Sequence, residues 1–208
     1  MQAAARTELR PSRDRGPPAP DSLRSTLRSG TAEAHARLDA CFGRLDLQKL
    51  SDYSRFLTAQ AAALLPLETA LLASGVERLF PDWASRARSQ ALRADIACLG
   101  GRPPVVPPLP RLEPDAMLGI AYVLEGSRLG ARFLLRRVLR SPDRRVAGNT
   151  AFLSHGAGSD LWQTFLDMLE REGRALRDTT MAIAAARRAF SLFEAEAARV
   201  AACETATA

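Results

Sequence analysis

The sequence contains only two histidines, and His35 lies in a stretch whose apolar residues recur every three or four positions. Imidazole is a metal ligand and a general acid or base near neutral pH, so His35 is the first candidate for chemistry. Helical spacing places Arg28 within about 20° of it on the same face. A histidine on such a stripe is more often an ordinary core or surface residue than a ligand, and both interpretations stand. His155, just before Gly156, is typical of a turn residue.

Two glycines, Gly126 and Gly130, lie four residues apart in a second helical stretch. A glycine inside a helix costs about 1 kcal/mol relative to alanine, so a pair on one face needs a reason. Glycines at this spacing form a shallow groove in which backbone can approach another group closely. One interpretation is tight helix–helix packing, and the other is a flat ligand lying against bare helix backbone.

Arginine dominates the basic side chains: of 29 basic residues only Lys49 is lysine, and 23 acidic residues leave a net charge of +6. Helical geometry puts Arg137 about 20° from Gly126, in position to meet an anion at the end of the groove. The same geometry puts Arg128, Arg132 and Arg136 roughly opposite, as expected for a solvated face. With 6% aromatic residues and no recognition motif, the basic excess does not indicate a nucleic-acid partner.

Several kinds of site are poorly supported by the remaining pattern. Three widely spaced cysteines with no CxxC pair predict neither a disulfide framework nor a zinc site, and they favour a reduced, cytoplasmic protein. The sequence contains no run of 18 apolar residues, so no membrane-spanning helix is expected. Two histidines without a carboxylate pair at ligand spacing do not make a zinc or di-iron site. One histidine suffices for a metal that brings its own equatorial ligands, which is haem.

The elements that must position these residues are helices. Leu and Ala are abundant, β-branched residues are few, and six or seven helices with no strand predict an all-α fold. We expect residues 1–20 to be a disordered tail and residues 21–208 to form a single helical domain. The connector over 102–114 carries six prolines, and 152–158 is predicted as a short loop or turn. The predicted helices start at Asp21 or Ser22 and run to Phe42, then span Tyr53 to about Ala73 with a kink or split at Pro66, Pro81 to Leu99, Asp115 to about Arg140, Ser159 to Glu172, and Thr179 to about Cys203.

Two motifs resemble one known family. The stretch LRSGTAEAHARL at 27–38 resembles the opening helix of haem oxygenases, and YVLEGSRLGA at 122–131 resembles the distal helix of their bacterial branch that often accompanies bacteriophytochromes. Shorter matches at 152–156, 161–165 and 189–194 extend the similarity over about residues 23–200. The resemblance implies a helical bundle in which the ligand is sandwiched between a proximal and a distal helix.

The resemblance also implies an activity. Haem oxygenases are oxidoreductases that use O2 and external electrons to cleave haem to biliverdin, releasing iron and carbon monoxide, with haem as both substrate and cofactor. A binding protein that holds haem or another tetrapyrrole on the same fold without turnover is the alternative. The implied partners are haem, an acidic electron donor such as ferredoxin or a flavoprotein reductase, and a phytochrome as biliverdin acceptor, with neither nucleic acid nor membrane.

The resemblance assigns roles by position. His35 would be the proximal iron ligand, while Gly126, Ser127 and Gly130 would form the distal wall. The residues expected to hold the rest of the haem are Arg28, Tyr122, Arg137 and Arg187. Ala131 stands where the family pattern has a second glycine, and Ser127 stands where mammalian-type enzymes have an aspartate, so the proton-delivery groups are unassigned.

Overall fold

The computed structural model describes residues 22–176 and 178–205, with side chains through Ala201, and the predicted tail at 1–20 lies outside this part. Within it the chain forms nine α-helices and no strand, which confirms the all-α prediction. A single 3-10 turn covers Val76–Arg78. The helices are α1 Leu23–Phe42, α2 Leu50–Ala73, α3 Trp83–Arg86, α4 Ser89–Cys98, α5 Pro114–Val138, α6 Arg144–Gly148, α7 Ala151–Ser154, α8 Leu161–Gly173 and α9 Thr179–Thr205.

Helix α9 is the element on which the others assemble, because α1, α2 and α5 all pack along it. Its crossing with α5 is so close that a β-carbon on Gly119 would overlap the backbone carbonyl of Ala182. Its contact with α1 is also close, since a β-carbon on Gly30 would lie 2.9 Å from Ile183. Two helices that carry candidate site residues, α1 and α5, are therefore fixed against the same partner.

Helix α2 is the most buried element, and its apolar residues form much of the core. By length and composition it is apolar enough to cross a membrane, which the sequence analysis did not anticipate. Buried side chains make up 72% of its most apolar window, as in the central helix of a folded core. The predicted split at Pro66 does not occur: the helix continues through it, and Pro66 is itself buried among the core residues. Burial of both flanks outweighs the one backbone hydrogen bond that proline removes.

The predicted single helix from Pro81 to Leu99 is also wrong, because it divides into α3 and α4 at an extended Ala87 (φ −61°, ψ 132°). The break turns the two flanking arginines, Arg86 and Arg88, into the interior, where both are buried. The Glu68 carboxylate on α2 accepts hydrogen bonds from the backbone N–H of Arg88 at 2.9 Å and of Ser89 at 2.9 Å. A buried carboxylate thus caps α4, and local sequence pattern carries no sign of it.

The remaining long helices match their predicted bounds within about three residues. Ser22 caps α1, its Oγ accepting from the Ser25 N–H at 3.1 Å. The sequence pattern does not predict the short helices α6 and α7, and α7 extends into the segment 152–158 that is expected to be a loop or turn. Asp95, buried in α4, accepts hydrogen bonds from the N–H groups of Ala151 and Phe152 at the start of α7. A distant carboxylate therefore stabilises a helical turn too short to show periodicity.

Candidate active site

His35 lies on the solvent side of α1, with its side chain 63% exposed. Its ring meets Phe190 of α9 edge-on at 5.8 Å between centroids. Nδ1 lies 3.0 Å from a carboxylate oxygen of Asp39, one turn further along α1. With the proton on Nδ1, this contact orients the ring and leaves the Nε2 lone pair free for a metal.

The two glycines of α5 lie on an open helix face. A β-carbon on Gly130 would meet nothing within 4 Å, and one on Gly126 would meet only the Trp162 ring at 3.8 Å. Phe133, on the same face by helical geometry, is 64% exposed. The packing interpretation of this glycine pair is therefore wrong within the described chain, and Gly119 is the glycine at which α5 packs tightly. What remains is bare backbone bordered by exposed apolar surface, which suits a flat apolar ligand.

These observations together test the fit of haem. An exposed imidazole held by a carboxylate is a suitable axial ligand, and a glycine face lets a planar ring approach backbone closely. Among the described residues no group of three or more His, Cys, Asp or Glu side chains could hold a metal ion. A metal that brings its own porphyrin needs only the one imidazole. The residues present fit haem.

The arginines and the tyrosine predicted to bind the rest of the haem lie on α1, α5 and α9. They differ in exposure and in hydrogen bonding. Arg28 is exposed on α1 and Arg137 is half-buried on α5. Arg187 is exposed, and its Nε donates to the Gly30 carbonyl at 2.6 Å, which links α9 to α1. Burial raises the pKa of Tyr122, and the nearby charges of Arg24 and Arg28 oppose that shift. The phenol of Tyr122 on α5 is thus within electrostatic reach of α1.

Ser127 is exposed beside the open face, and its hydroxyl is held on the inner side. Oγ donates to the Leu124 carbonyl at 2.7 Å and accepts from Arg88 Nη2 at 2.8 Å. Sequence reasoning missed Arg88, which lies 39 residues away and contacts α5 only because α3 and α4 divide.

An ionic cluster behind α5 was also missed, and it overturns one expectation. Arg128 is 7% exposed and is not part of a solvated face, although Arg132 and Arg136 are exposed as expected. Glu125, 2% exposed, pairs with Arg128 at 2.9 Å and with Arg86 at 2.9 Å. The three-residue spacing of Glu125 and Arg128 along α5 was the available signal.

His155 lies at the end of α7 with Nδ1 3.2 Å from Arg128 Nη1. Burial lowers its pKa, and the charges of Arg128 and Arg88 lower it further. The residue closes a helical turn on the buried side of α5, in keeping with the turn role expected from its sequence context.

Comparison with known proteins identifies the family. The Heme oxygenase family model matches residues 21–197. The chain is 33% identical over 162 residues to the heme oxygenase PigA of Pseudomonas aeruginosa, spanning 73% of this chain and 82% of that protein. It is 33% identical over 115 residues to a heme oxygenase of Xanthomonas campestris pv. campestris, spanning 53% of this chain and 67% of that protein.

A solved structure agrees in fold. The NO- and CO-bound heme oxygenase from Neisseria meningitidis superposes with a TM-score of 0.72 at 21% identity, over 86% of this chain and 92% of that one. The family match covers nearly the whole described chain, and the relatives are enzymes and not passive tetrapyrrole carriers. This chain therefore belongs to the heme oxygenase family, the oxidoreductases that cleave haem to biliverdin.

Proposed function

We propose that this protein cleaves haem in a site between α1 and α5, which both pack on α9, with His35 as the axial ligand to iron. The observation that carries this assignment is the open glycine face of α5, on which Gly126 and Gly130 leave room for a ring and serve no packing purpose. The bound haem supplies the iron at which O2 is activated and the ring that is cleaved.

On the proximal side, the chain would hold the His35 imidazole in position to bind the iron. The Asp39 carboxylate, 3.0 Å from His35 Nδ1, fixes the ring rotation and the tautomer. As the ligand, His35 would donate less electron density to the iron than a cysteinate does, and it would therefore favour O–O cleavage less.

On the distal side, the chain keeps side chains away from the ring. Gly126 and Gly130 expose backbone, and Ser127, the residue after Gly126, supplies a side-chain oxygen on the adjoining face. Ordered water held by that oxygen and by neighbouring carbonyl groups would pass protons to the site.

Four residues would orient the ring through its propionate groups. Arg28 and Arg137 have no hydrogen-bond or ion-pair partner among the described contacts, so their guanidinium groups can bind carboxylates. Arg187 keeps donors besides the one that binds Gly30, and Tyr122 can donate its phenolic proton. By fixing the rotation of the ring, these four residues would determine which meso carbon is cleaved.

The electrons come from outside, and we propose an acidic ferredoxin or flavoprotein reductase as the donor. The exposed arginines of α5, among them Arg132 and Arg136, support this because a cationic surface steers an acidic partner.

We further propose a cytoplasmic location, supported by the free thiols of Cys41 and Cys98. We also propose a phytochrome as the biliverdin acceptor, supported by the distal-helix motif.

A hemin titration of purified protein tests the ligand assignment. Wild-type protein is expected to give a Soret band of a histidine-ligated haem, and His35→Ala is expected to lose that axial ligation. His155→Ala is the matched control, because it removes the other histidine and leaves the α1 site intact. Normal axial ligation in His35→Ala, or its loss in His155→Ala, contradicts the assignment.

A further inference from the structure

A groove on the far side of α9 has no part in the proposed haem site. It has a volume of about 430 Å³ and lies between α9, the core helix α2, the start of α5 and the end of the proline-rich connector. Helical spacing places Arg188, which lines the groove, about 140° around α9 from Ile183, which packs against Gly30 of α1. Ile120, which lines the groove from α5, lies about 120° around that helix from Gly126. The groove is therefore separate from the proposed haem site.

The walls of this groove are aliphatic. Apart from Arg111, Arg188 and Ser191, every described residue that lines it is apolar, and none of them is aromatic or a histidine. Met181 is 39% exposed there, so part of this apolar surface is open to solvent. A planar tetrapyrrole would find neither a ring to stack on nor an axial ligand in the groove. An unbranched alkyl chain needs only aliphatic contacts, and the groove supplies them.

The groove is elongated along α9. Its lining residues on that helix run from Met181 to Leu192, a length of about 16 Å. The short side chains of Ala184, Ala185 and Ala189 form the floor between these two ends. A long floor of small residues suits the extended chain of a fatty acid.

The wall that the connector forms is held in place by α2. The Leu112 N–H donates to Ser74 Oγ at 2.8 Å, and this hydroxyl donates to the Ala70 carbonyl at 2.7 Å. Pro110, which lines the groove two residues earlier, restricts the backbone further because its ring fixes φ. A wall that is already fixed costs a ligand little ordering entropy on binding.

Two arginines give the groove its charge. Arg111 lines it from the connector and Arg188 lines it from α9, and both side chains are exposed. Neither forms a hydrogen bond or ion pair with another described residue, so both guanidinium groups are free to bind an anion. A guanidinium binds a carboxylate through two parallel hydrogen bonds. The groove is thus complementary to an apolar molecule that ends in a carboxylate.

We propose that this groove is a second ligand site, and that it binds a fatty acid. The alkyl chain lies along the alanines of α9, and Arg111 and Arg188 neutralise the carboxylate. The site is independent of the proposed function, because it needs neither haem nor His35.

The test is a calorimetric titration of haem-free and hemin-saturated protein with laurate below its critical micelle concentration. Arg111→Gln and Arg188→Gln each remove one charge, and Arg93→Gln is their matched control, because Arg93 is exposed on α4 outside the groove. Ala184→Phe fills the groove from an exposed position. Ala195→Phe is its control, because Ala195 is exposed on the same helix and does not line the groove. Titration with 1-dodecanol measures the contribution of the carboxylate.

We expect laurate to bind at one site, whether or not hemin is bound. Each glutamine variant in the groove is expected to weaken laurate binding about tenfold, because it removes a charge-assisted hydrogen-bond donor. Ala184→Phe is expected to weaken it more, and the two control variants are expected to bind as wild type does. Dodecanol is expected to bind wild type more weakly than laurate does, and to bind the glutamine variants as it binds wild type.

No binding of laurate, displacement of laurate by hemin, or an equal loss in Arg93→Gln would each overturn the proposal. Biliverdin that displaces laurate and loses affinity in Ala184→Phe would also overturn it, because the groove would then hold the reaction product. A dimer in sedimentation that Ala184→Phe dissociates would show that a second copy of the chain covers the groove, against the proposal. If Ala184→Phe does not fold, the exposed arginine variants decide. Failure to bind hemin overturns the proposed function alone.

Discussion

At the scale of single residues, three glycines of the same helix, α5, have opposite purposes. Gly119 allows α9 to approach, whereas Gly126 and Gly130 face open space or a single ring edge. Sequence spacing singled out the second pair, but it could not separate packing from ligand binding, because both need the same missing side chain. The environment of each glycine separates them.

Substituting these glycines tests that division. Gly130→Ala is expected to stabilise the haem-free protein by about 1 kcal/mol, since alanine is the better helix former and its methyl group meets nothing. The same change is expected to slow haem cleavage, because the methyl group intrudes on the distal wall. Gly119→Ala is the control: it is expected to lower Tm by several degrees, because the α5–α9 crossing must open. Thermal unfolding measures the stability of both variants, and a biliverdin assay measures their haem cleavage. A destabilised Gly130→Ala protein would show that the glycine face is not open.

His155 gives a residue-scale prediction about pH. Burial and two neighbouring arginines hold its pKa below the usual 6.5, so the unfolded chain binds a proton that the folded chain resists. Stability is therefore expected to fall as pH drops through about 6.5, the unfolded value. His155→Gln is expected to flatten this part of the profile in urea unfolding between pH 7.5 and 5. An unchanged slope contradicts the role given to His155.

At the scale of elements, the sequence pattern predicts the long helices because each carries an amphipathic stripe and a recognisable start or stop. It fails where a distant carboxylate decides the local structure: Glu68 ends one helix and starts α4, and Asp95 stabilises α7. For the proposed site, the pattern singled out His35 and the glycine pair as candidates. It could not find Arg88, whose contact with α5 depends on a helix break set by tertiary packing.

The ionic cluster behind α5 predicts a large element-scale effect. Glu125→Gln leaves Arg86 and Arg128 buried without their shared carboxylate, which is expected to cost about 3–5 kcal/mol of unfolding free energy. Glu194→Gln is the matched control, because it removes the partner of Arg37 in an exposed ion pair. Denaturant unfolding should show a large loss in the first variant and little change in the second. Equal losses would mean that the cluster does not hold α5 in place.

At the scale of the whole molecule, α9 organises the site. Helix α5 crosses it closely at Gly119. Helix α1 runs beside it in the same direction, so that Gly30 contacts Arg187 and, further along both helices, His35 contacts Phe190. Helices α1 and α5, the proposed proximal and distal helices, are thereby fixed to one support. Helices held on a common support can admit a flat ligand between them without unfolding the core.

The central claim is that this protein cleaves haem and does not merely hold it. The most direct measurement adds hemin to the purified protein, then a reductant and air, and follows the visible spectrum with a carbon monoxide assay. The account predicts loss of the Soret band, a green biliverdin product and release of about one carbon monoxide per haem. A haem that stays bound and intact under the same conditions contradicts it.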